Sequence, residues 1–212
     1  MLKKLIIVIV FSIAFAYIEA AVVVYLRQIF YTAGFDFPLT NFPNTAVWQR
    51  LFLTEVGREI ATIVLIFTCC WLIGENLRQR VAFFLFIFGI WDIFFYVWLK
   101  IFLNWPASLM DWDILFLIPV VWAGPVIAPI LVSLLLILFA VLLLYRPYEK
   151  PVRLIHLDWL GFSFASLAIV VSFCIAGLHI TEIEFKSFFY WPLFGLGCLL
   201  AMAVFSKSLL KS

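Results

Sequence analysis

The sequence predicts an all-α, polytopic integral membrane protein with about six transmembrane helices, in a single membrane domain over residues 1–212. The first observation is composition: 67% of the residues are hydrophobic and 12% are charged, whereas a soluble domain has about 45–50% and about 25%. The second is that the apolar residues fall into six long runs. This composition excludes an ordinary soluble protein, a disordered chain and a nucleic-acid-binding domain.

The six runs have the length that a membrane-spanning helix needs, about 20 apolar residues for a hydrocarbon core about 30 Å thick. In lipid, every backbone polar group must be satisfied internally, and a helix achieves this. The predicted spans cover residues 5–27, 54–74, 81–103, 126–145, 159–180 and 188–206. The first follows Lys3 and Lys4 as a signal peptide would, but its apolar run is too long for one, so we expect an uncleaved span. The fourth is bland enough to face lipid.

The segment between spans 3 and 4, residues 105–125, is too apolar for a solvated loop and contains Pro106, Pro119 and Pro125. A half-helix that lies in the outer interface, or dips into it, fits this composition. The interpretation that we favour is an amphipathic interfacial segment that is anchored by Trp105, Trp112 and Trp122. Non-helical backbone at that depth must be covered by protein or line a wet cavity.

The distribution of lysine and arginine predicts the orientation, because cytoplasmic loops carry the excess of these residues. With the N-terminus inside, nine of the 14 bases are cytoplasmic: Lys3, Lys4, Arg78, Arg80, Arg146, Lys150, Arg153, Lys207 and Lys211. We therefore expect a multi-pass protein of the inner (cytoplasmic) membrane with both termini in the cytoplasm.

An intramembrane ionisable cluster in spans 1 to 3 is the most informative feature of the chain. Its members form one polar face on each span: Glu19 and Arg27 on the first, Glu55, Arg58 and Glu59 on the second, and Asp92, Tyr96 and Lys100 on the third. A charge at the centre of a spanning helix costs roughly 2.5–3.5 kcal/mol on insertion scales. We therefore expect spans 1, 2 and 3 to pack together and to pair these groups.

Three interpretations of this cluster remain open. The first is a polar cavity that opens to the outer side, with Glu19 and Asp92 handling protons or cations, because an intramembrane carboxylate is a functional-site hypothesis by default. The second is an ion-pair lock that fixes the register of the helices. In the third, Glu19 or Asp92 pairs with a base on a partner subunit.

No catalytic residue, metal site or cofactor is predicted. The two histidines, His156 and His179, are too far apart along one helix to hold a haem between them. Metal-binding and nucleophile motifs are absent from the sequence. Asp111 and Asp113 in the outer segment could serve a lipid-modifying enzyme, but two acids at this spacing more commonly form a solvated edge. The many aromatic side chains would suit a lipid or quinone.

Small residues recur at four-residue spacing in spans 5 and 6, as in Gly161 and Ala165, or Gly197 and Ala201. Such faces let helices approach closely, within the chain or against another subunit. The leading hypothesis is a small, non-catalytic scaffold subunit of a larger membrane complex, which shapes a lipid or quinone pocket. Its partners would be the bilayer and other integral membrane subunits, without nucleic acid. The alternatives are a small proton- or ion-coupled transporter or channel and, more weakly supported, a membrane-embedded lipid-modifying enzyme.

Overall fold

A computed structural model describes residues 2–31, 34–39, 46–147, 152 and 154–210, with the backbone alone at residues 46 and 48. Its helices are α1 (Leu2–Phe30), α2 (Ala46–Ile73), α3 (Leu77–Leu103), α4 (Ile127–Tyr145), α5 (His156–Leu178) and α6 (Trp191–Leu210). In this described part of the chain, six helices are long and apolar enough to cross a membrane. The predicted class, a mainly helical multi-pass membrane protein, is confirmed at that level. Of the bases that predicted the orientation, Lys150, Arg153 and Lys211 lie outside the described residues.

Local side-chain chemistry sets several helix ends. Asn76 caps the start of α3, where its side chain accepts the backbone N–H of Gln79 at 3.0 Å. Asn104 ends the same helix with a left-handed backbone, φ 52°, a conformation that asparagine tolerates better than most residues. At the start of α5, the carboxylate of Asp158 accepts the backbone N–H of Ile155 at 3.1 Å. These caps satisfy backbone groups that a helix end leaves without partners.

The predicted half-helix within residues 105–125 is wrong, because this segment contains a β-hairpin. Strands β1 (Trp112–Phe116) and β2 (Trp122–Pro125) form a two-stranded sheet. A five-residue connection permits only antiparallel pairing. Strand β1 carries Trp112, Ile114 and Phe116, which are residue types that favour extended backbone, and the prolines of the segment would interrupt a helix. The described chain is otherwise helical, so the hairpin is a short exception within a fold that agrees with the predicted all-α class.

The described chain clusters into two compact units. The first comprises Met1–Asp36, Val64–Trp112 and Pro125–Leu144, and the second Phe37–Ile63, Asp113–Gly124 and Tyr145–Ser212. The helix α2 contributes its C-terminal part to the first unit and its N-terminal part to the second. The prediction of a single membrane domain over residues 1–212 stays a prediction.

In the first unit, α1 packs along α3 and runs in the same direction. At one end of the pair, Lys4 Nζ lies 2.6 Å from Glu75 Oε1. Near the middle, Trp98 Nε1 donates to the carbonyl oxygen of Ile13 at 3.1 Å. The register of α1 against α3 is thus set by an ion pair at one end and by a hydrogen bond from the Trp98 indole further along.

In the second unit, α5 packs against α6 through glycines. A Cβ at Gly161 would lie 2.6 Å from Val204 Cγ2, and one at Gly197 would lie 2.9 Å from the carbonyl oxygen of Ala165. The small residues predicted at spans 5 and 6 therefore serve close packing within the chain. Gly177 on α5 similarly makes room for the hairpin, because a Cβ there would overlap the carbonyl oxygen of Val121.

Candidate functional site

The polar face predicted on span 1 is buried. Ser12, Ala16, Glu19 and Arg27 are all among the buried residues of α1, and the Glu19 side chain is 4% exposed. They recur at intervals of three, four and eight residues, which places them on one side of a helix with 3.6 residues per turn. Burial of an acid and a base on this face agrees with the expectation that neither faces lipid.

Arg27 lies against two aromatic rings within the first unit, and these rings are nearly perpendicular to each other. Its Cζ lies 4.1 Å from the centroid of the Phe35 ring and 3.9 Å from that of Trp105. A guanidinium over aromatic faces gains about 0.5–1 kcal/mol at exposed sites and about 2 when desolvated. Tyr31 packs edge-on against Phe35 at 5.2 Å; burial raises the pKa of its hydroxyl, and the positive charge of Arg27 partly offsets that rise. The sequence did not identify Phe35 and Trp105 as the partners of Arg27.

Lys100 lies near the end of α3 and closes the turn that follows. Its Nζ donates to the carbonyl oxygens of Pro106, at 2.9 Å, and of Asn104, at 3.3 Å. A cation at a helix C-terminus is favourably placed, because the last carbonyls carry partial negative charge. Tyr96, one turn earlier on α3, is buried and lies 6.3 Å from Trp105 between ring centroids.

Asp92 links α3 to α4. Its Oδ2 accepts a hydrogen bond from the Ser133 hydroxyl at 2.7 Å, and Ser133 is buried. The helices approach closely here, because a Cβ at Gly89 would lie 2.7 Å from the carbonyl oxygen of Ser133. The expectation that span 4 faces lipid is therefore wrong for this side of α4. The available signal was Ser133 itself, the single serine in a run of leucine, isoleucine and valine.

Two of the predicted residues on α2 pair with each other. Arg58 lies one turn after Glu55, and the distances from its Nε and Nη2 to Glu55 Oε2 are both 2.8 Å. Both side chains are partly buried. This local ion pair satisfies an acid and a base on the same helix, as their spacing of three residues allows.

Glu59, on the next turn of α2, holds the hairpin of the second unit. Its Oε2 and Oε1 accept the backbone N–H of Leu117 at 2.9 and 3.1 Å. Glu59 is 7% exposed, and Leu117 follows directly after β1. Because a buried backbone N–H needs an acceptor, the carboxylate supplies one where strand pairing ends. A sequence pattern does not reveal this bond, since Leu117 takes part through its backbone.

The two acids of the outer segment accept hydrogen bonds from backbone N–H groups close to them in the sequence. Asp111 Oδ2 accepts the N–H groups of Ala107 and Ser108 at 2.7 and 3.1 Å, and Asp113 Oδ1 accepts that of Ile114 at 2.9 Å. Asp111 belongs to the first unit and Asp113, which is buried, to the second. Among the described residues, no group of three or more His, Cys, Asp or Glu side chains could hold a metal ion.

The predicted cluster is therefore distributed over the two units. Glu19, Arg27, Asp92, Tyr96 and Lys100 belong to the first, and Glu55, Arg58 and Glu59 to the second. Glu55 and Arg58 are brought together, whereas the contacts described above join Arg27, Asp92, Lys100 and Glu59 to groups outside the predicted set. That all eight residues act as one site stays a prediction.

Comparisons with protein-family models, with curated proteins and with solved structures found no match for this chain.

Proposed function

We propose that this chain is a small integral membrane subunit of a larger membrane complex, with a non-catalytic scaffold and helix-docking role. The observation that carries the proposal is the bond from Leu117 N–H to Glu59, at 2.9 Å to the nearer oxygen. It gives an intramembrane carboxylate a structural task, which is to hold a loop. Buried acids with such contacts stabilise one conformation of the chain, as a scaffold requires.

Two further acids, one partly buried and one fully buried, support the same interpretation. Asp92 joins α3 to α4 through Ser133. Asp158, fully buried, joins α5 to α6 through Lys207 Nζ at 2.8 Å. Each bond connects two elements of one unit, and hydrogen bonds to charged groups contribute about 1.5–3 kcal/mol. These contacts favour a structural role for the acids, as the lock interpretation does, but Asp92 and Glu59 act through hydrogen bonds to uncharged groups and not through ion pairs.

Exposed apolar faces supply the docking surfaces that the proposal requires. Along α2, bulky side chains such as Leu53, Ile60, Phe67 and Leu72 lie on the surface of the chain. In a bilayer such faces contact lipid tails or neighbouring helices. The proposal assigns part of them to other integral subunits and part to a lipid or quinone.

The proposal places the chain in the inner membrane with both termini in the cytoplasm. The excess of lysine and arginine at one set of loops supports this orientation.

Native mass spectrometry of the protein, extracted gently from its own membrane, tests the proposal. We expect a fixed stoichiometry with other integral subunits, and the same stoichiometry when the affinity tag is moved to one of those subunits. A monodisperse monomer with transport activity in vesicles would contradict the proposal.

A small proton- or ion-coupled transporter or channel is the second candidate. It is favoured by the burial of Glu19 and by the presence of Asp92 in the same unit. It predicts that Glu19→Gln and Asp92→Asn abolish flux in vesicles while the protein still folds. Full flux in both variants would exclude it.

A further inference from the structure

Four bases lie at the tight turn between α2 and α3 or at the start of α1, which Lys4 joins to Glu75 of that turn. They are Lys3, Lys4, Arg78 and Arg80, and we call them, together with the acid Glu75, the turn cluster. The turn itself is the three-residue link Gly74–Asn76. With four bases and one acid, the turn cluster carries a formal charge of +3. All of its residues belong to the first unit.

Within the turn cluster, Arg80 makes two contacts at the turn. Its Nε donates to the carbonyl oxygen of Gly74 at 3.1 Å, and its Cζ lies 3.8 Å above the ring centroid of Trp71. Only glycine fits at position 74, because a Cβ there would lie 2.6 Å from Arg80 Cγ. The guanidinium is therefore fixed by the hydrogen bond from its Nε and by its contact with the Trp71 ring. In the described part of the chain, neither of its Nη atoms has a protein acceptor.

A guanidinium that is fixed in this way suits a phosphate group. Its two Nη atoms form one edge of a planar fork, and this fork matches the oxygens of a phosphate. The remaining bases add charge around the same turn. Lys3 is exposed, and Lys4 keeps Glu75 neutralised through their 2.6 Å ion pair.

Three exposed apolar side chains, Trp71, Leu72 and Leu77, lie next to these charged residues in the sequence, and we call them the apolar collar. Trp71 is 52% exposed, Leu72 is 86% exposed and Leu77 is 70% exposed. Tryptophan is enriched where hydrocarbon meets headgroups, and bulky exposed leucines belong on the hydrocarbon side. A ligand at Arg80 would thus have its phosphate beside the bases and an apolar part along the collar.

We propose that the turn cluster binds the phosphate headgroup of an acidic phospholipid, with Arg80 as the phosphate fork. Charge complementarity selects an anionic lipid over a zwitterionic one, and the apolar collar selects a lipid over free phosphate. This goes beyond the subunit role, which requires no particular lipid.

Lipid binding by the purified full chain in detergent tests the proposal. The probe is phosphatidylglycerol, with phosphatidylcholine of the same chains as its control, and native mass spectrometry measures the lipid-bound fraction. A base near an anionic surface contributes about fivefold in binding. We therefore expect about fivefold weaker phosphatidylglycerol binding in Arg80→Gln and in Lys3→Gln, and tighter binding in Glu75→Gln, which removes the acid.

Lys186→Gln is the matched control. It removes an exposed base that lies over Phe185 in the second unit, and we expect no change. Arg80→Gln also removes the hydrogen bond to Gly74 and could impair folding. Lys3→Gln and Glu75→Gln leave that bond in place, so the test does not depend on Arg80→Gln alone. Equal binding of the two lipids, unchanged binding in these two variants, or an equal loss in Lys186→Gln would overturn the proposal. Displacement by inorganic phosphate as effectively as by phosphatidylglycerol would overturn the assignment to a lipid.

Discussion

The carboxylate of Glu59 on α2 accepts the backbone N–H of Leu117, with its oxygens at 2.9 and 3.1 Å from that nitrogen. A side chain in a candidate membrane span thereby completes the hydrogen bonding of a non-helical segment. Irregular backbone is tolerated at membrane depth only where protein or water satisfies it. The bond gives the buried carboxylate of Glu59 a hydrogen-bond donor.

Two substitutions at Glu59 distinguish what its hydrogen-bond acceptor contributes to stability from what its negative charge contributes. Glu59→Leu removes the acceptor, and we expect it to lower the free energy of unfolding by about 1.5–3 kcal/mol, as for hydrogen bonds to charged groups. Glu59→Gln keeps a carbonyl oxygen within reach of Leu117, and we expect a smaller loss. Thermal unfolding in detergent measures both; equal losses would show that the charge matters more than the acceptor.

Gly89→Ala tests the close crossing of α3 and α4. The added Cβ would lie 2.7 Å from the carbonyl oxygen of Ser133 and 2.7 Å from Ile137 Cγ1. Overpacking of this kind costs about 1–3 kcal/mol, so we expect a lower unfolding temperature. Gly57→Ala is the control, because a Cβ there meets nothing within 4 Å and alanine favours a helix. Equal destabilisation by both substitutions would contradict the proposed contact.

The two aromatic rings beside Arg27 predict a graded response at Trp105. Trp105→Leu removes one of the two ring faces, which lies 3.9 Å from Arg27 Cζ, and we expect a loss of about 2 kcal/mol or less from the cation–π contact. Trp105→Phe keeps a ring and should lose less. Chemical unfolding of the three proteins measures the order; identical stabilities in the two variants would mean that the ring face contributes nothing.

The Lys4–Glu75 pair predicts a pH dependence of stability. The hydrogen bond from Lys4, and then its charge, lower the pKa of Glu75 from 4.5. A carboxyl whose pKa is lower in the folded state contributes stability above its unfolded pKa and loses it as pH falls through the folded pKa. We therefore expect the unfolding temperature of the wild type to exceed that of Glu75→Gln near pH 7, by a small amount because the pair is exposed.

The difference between these two proteins should disappear as pH falls below 4.5. Unfolding temperatures at a series of pH values provide the measurement. A difference that stays constant down to pH 3 would show that Glu75 does not act through its ionised form.

The six spans were predictable because each depends on composition over about 20 residues. The buried face of α1 was predictable because Glu19 and Arg27 share one helical side. The partners of the ionised groups were not, because Leu117 contributes a backbone group and Phe35 and Trp105 contribute ring faces. The hairpin was missed because the hydropathy of residues 105–125 does not distinguish a strand from a half-helix. The residue types of β1 and the prolines do argue against a helix, whereas β2 has little strand preference of its own.

Hydrogen exchange at the Leu117 amide tests most directly whether Glu59 holds the hairpin. The measurement compares the wild type, Glu59→Gln and Glu59→Leu in the same detergent. We expect protection of this amide in the wild type and in Glu59→Gln, and fast exchange in Glu59→Leu, while amides of α5 and α6 stay protected in all three. Unchanged protection in Glu59→Leu, or its loss in Glu59→Gln to the same extent, would contradict the structural role of this carboxylate.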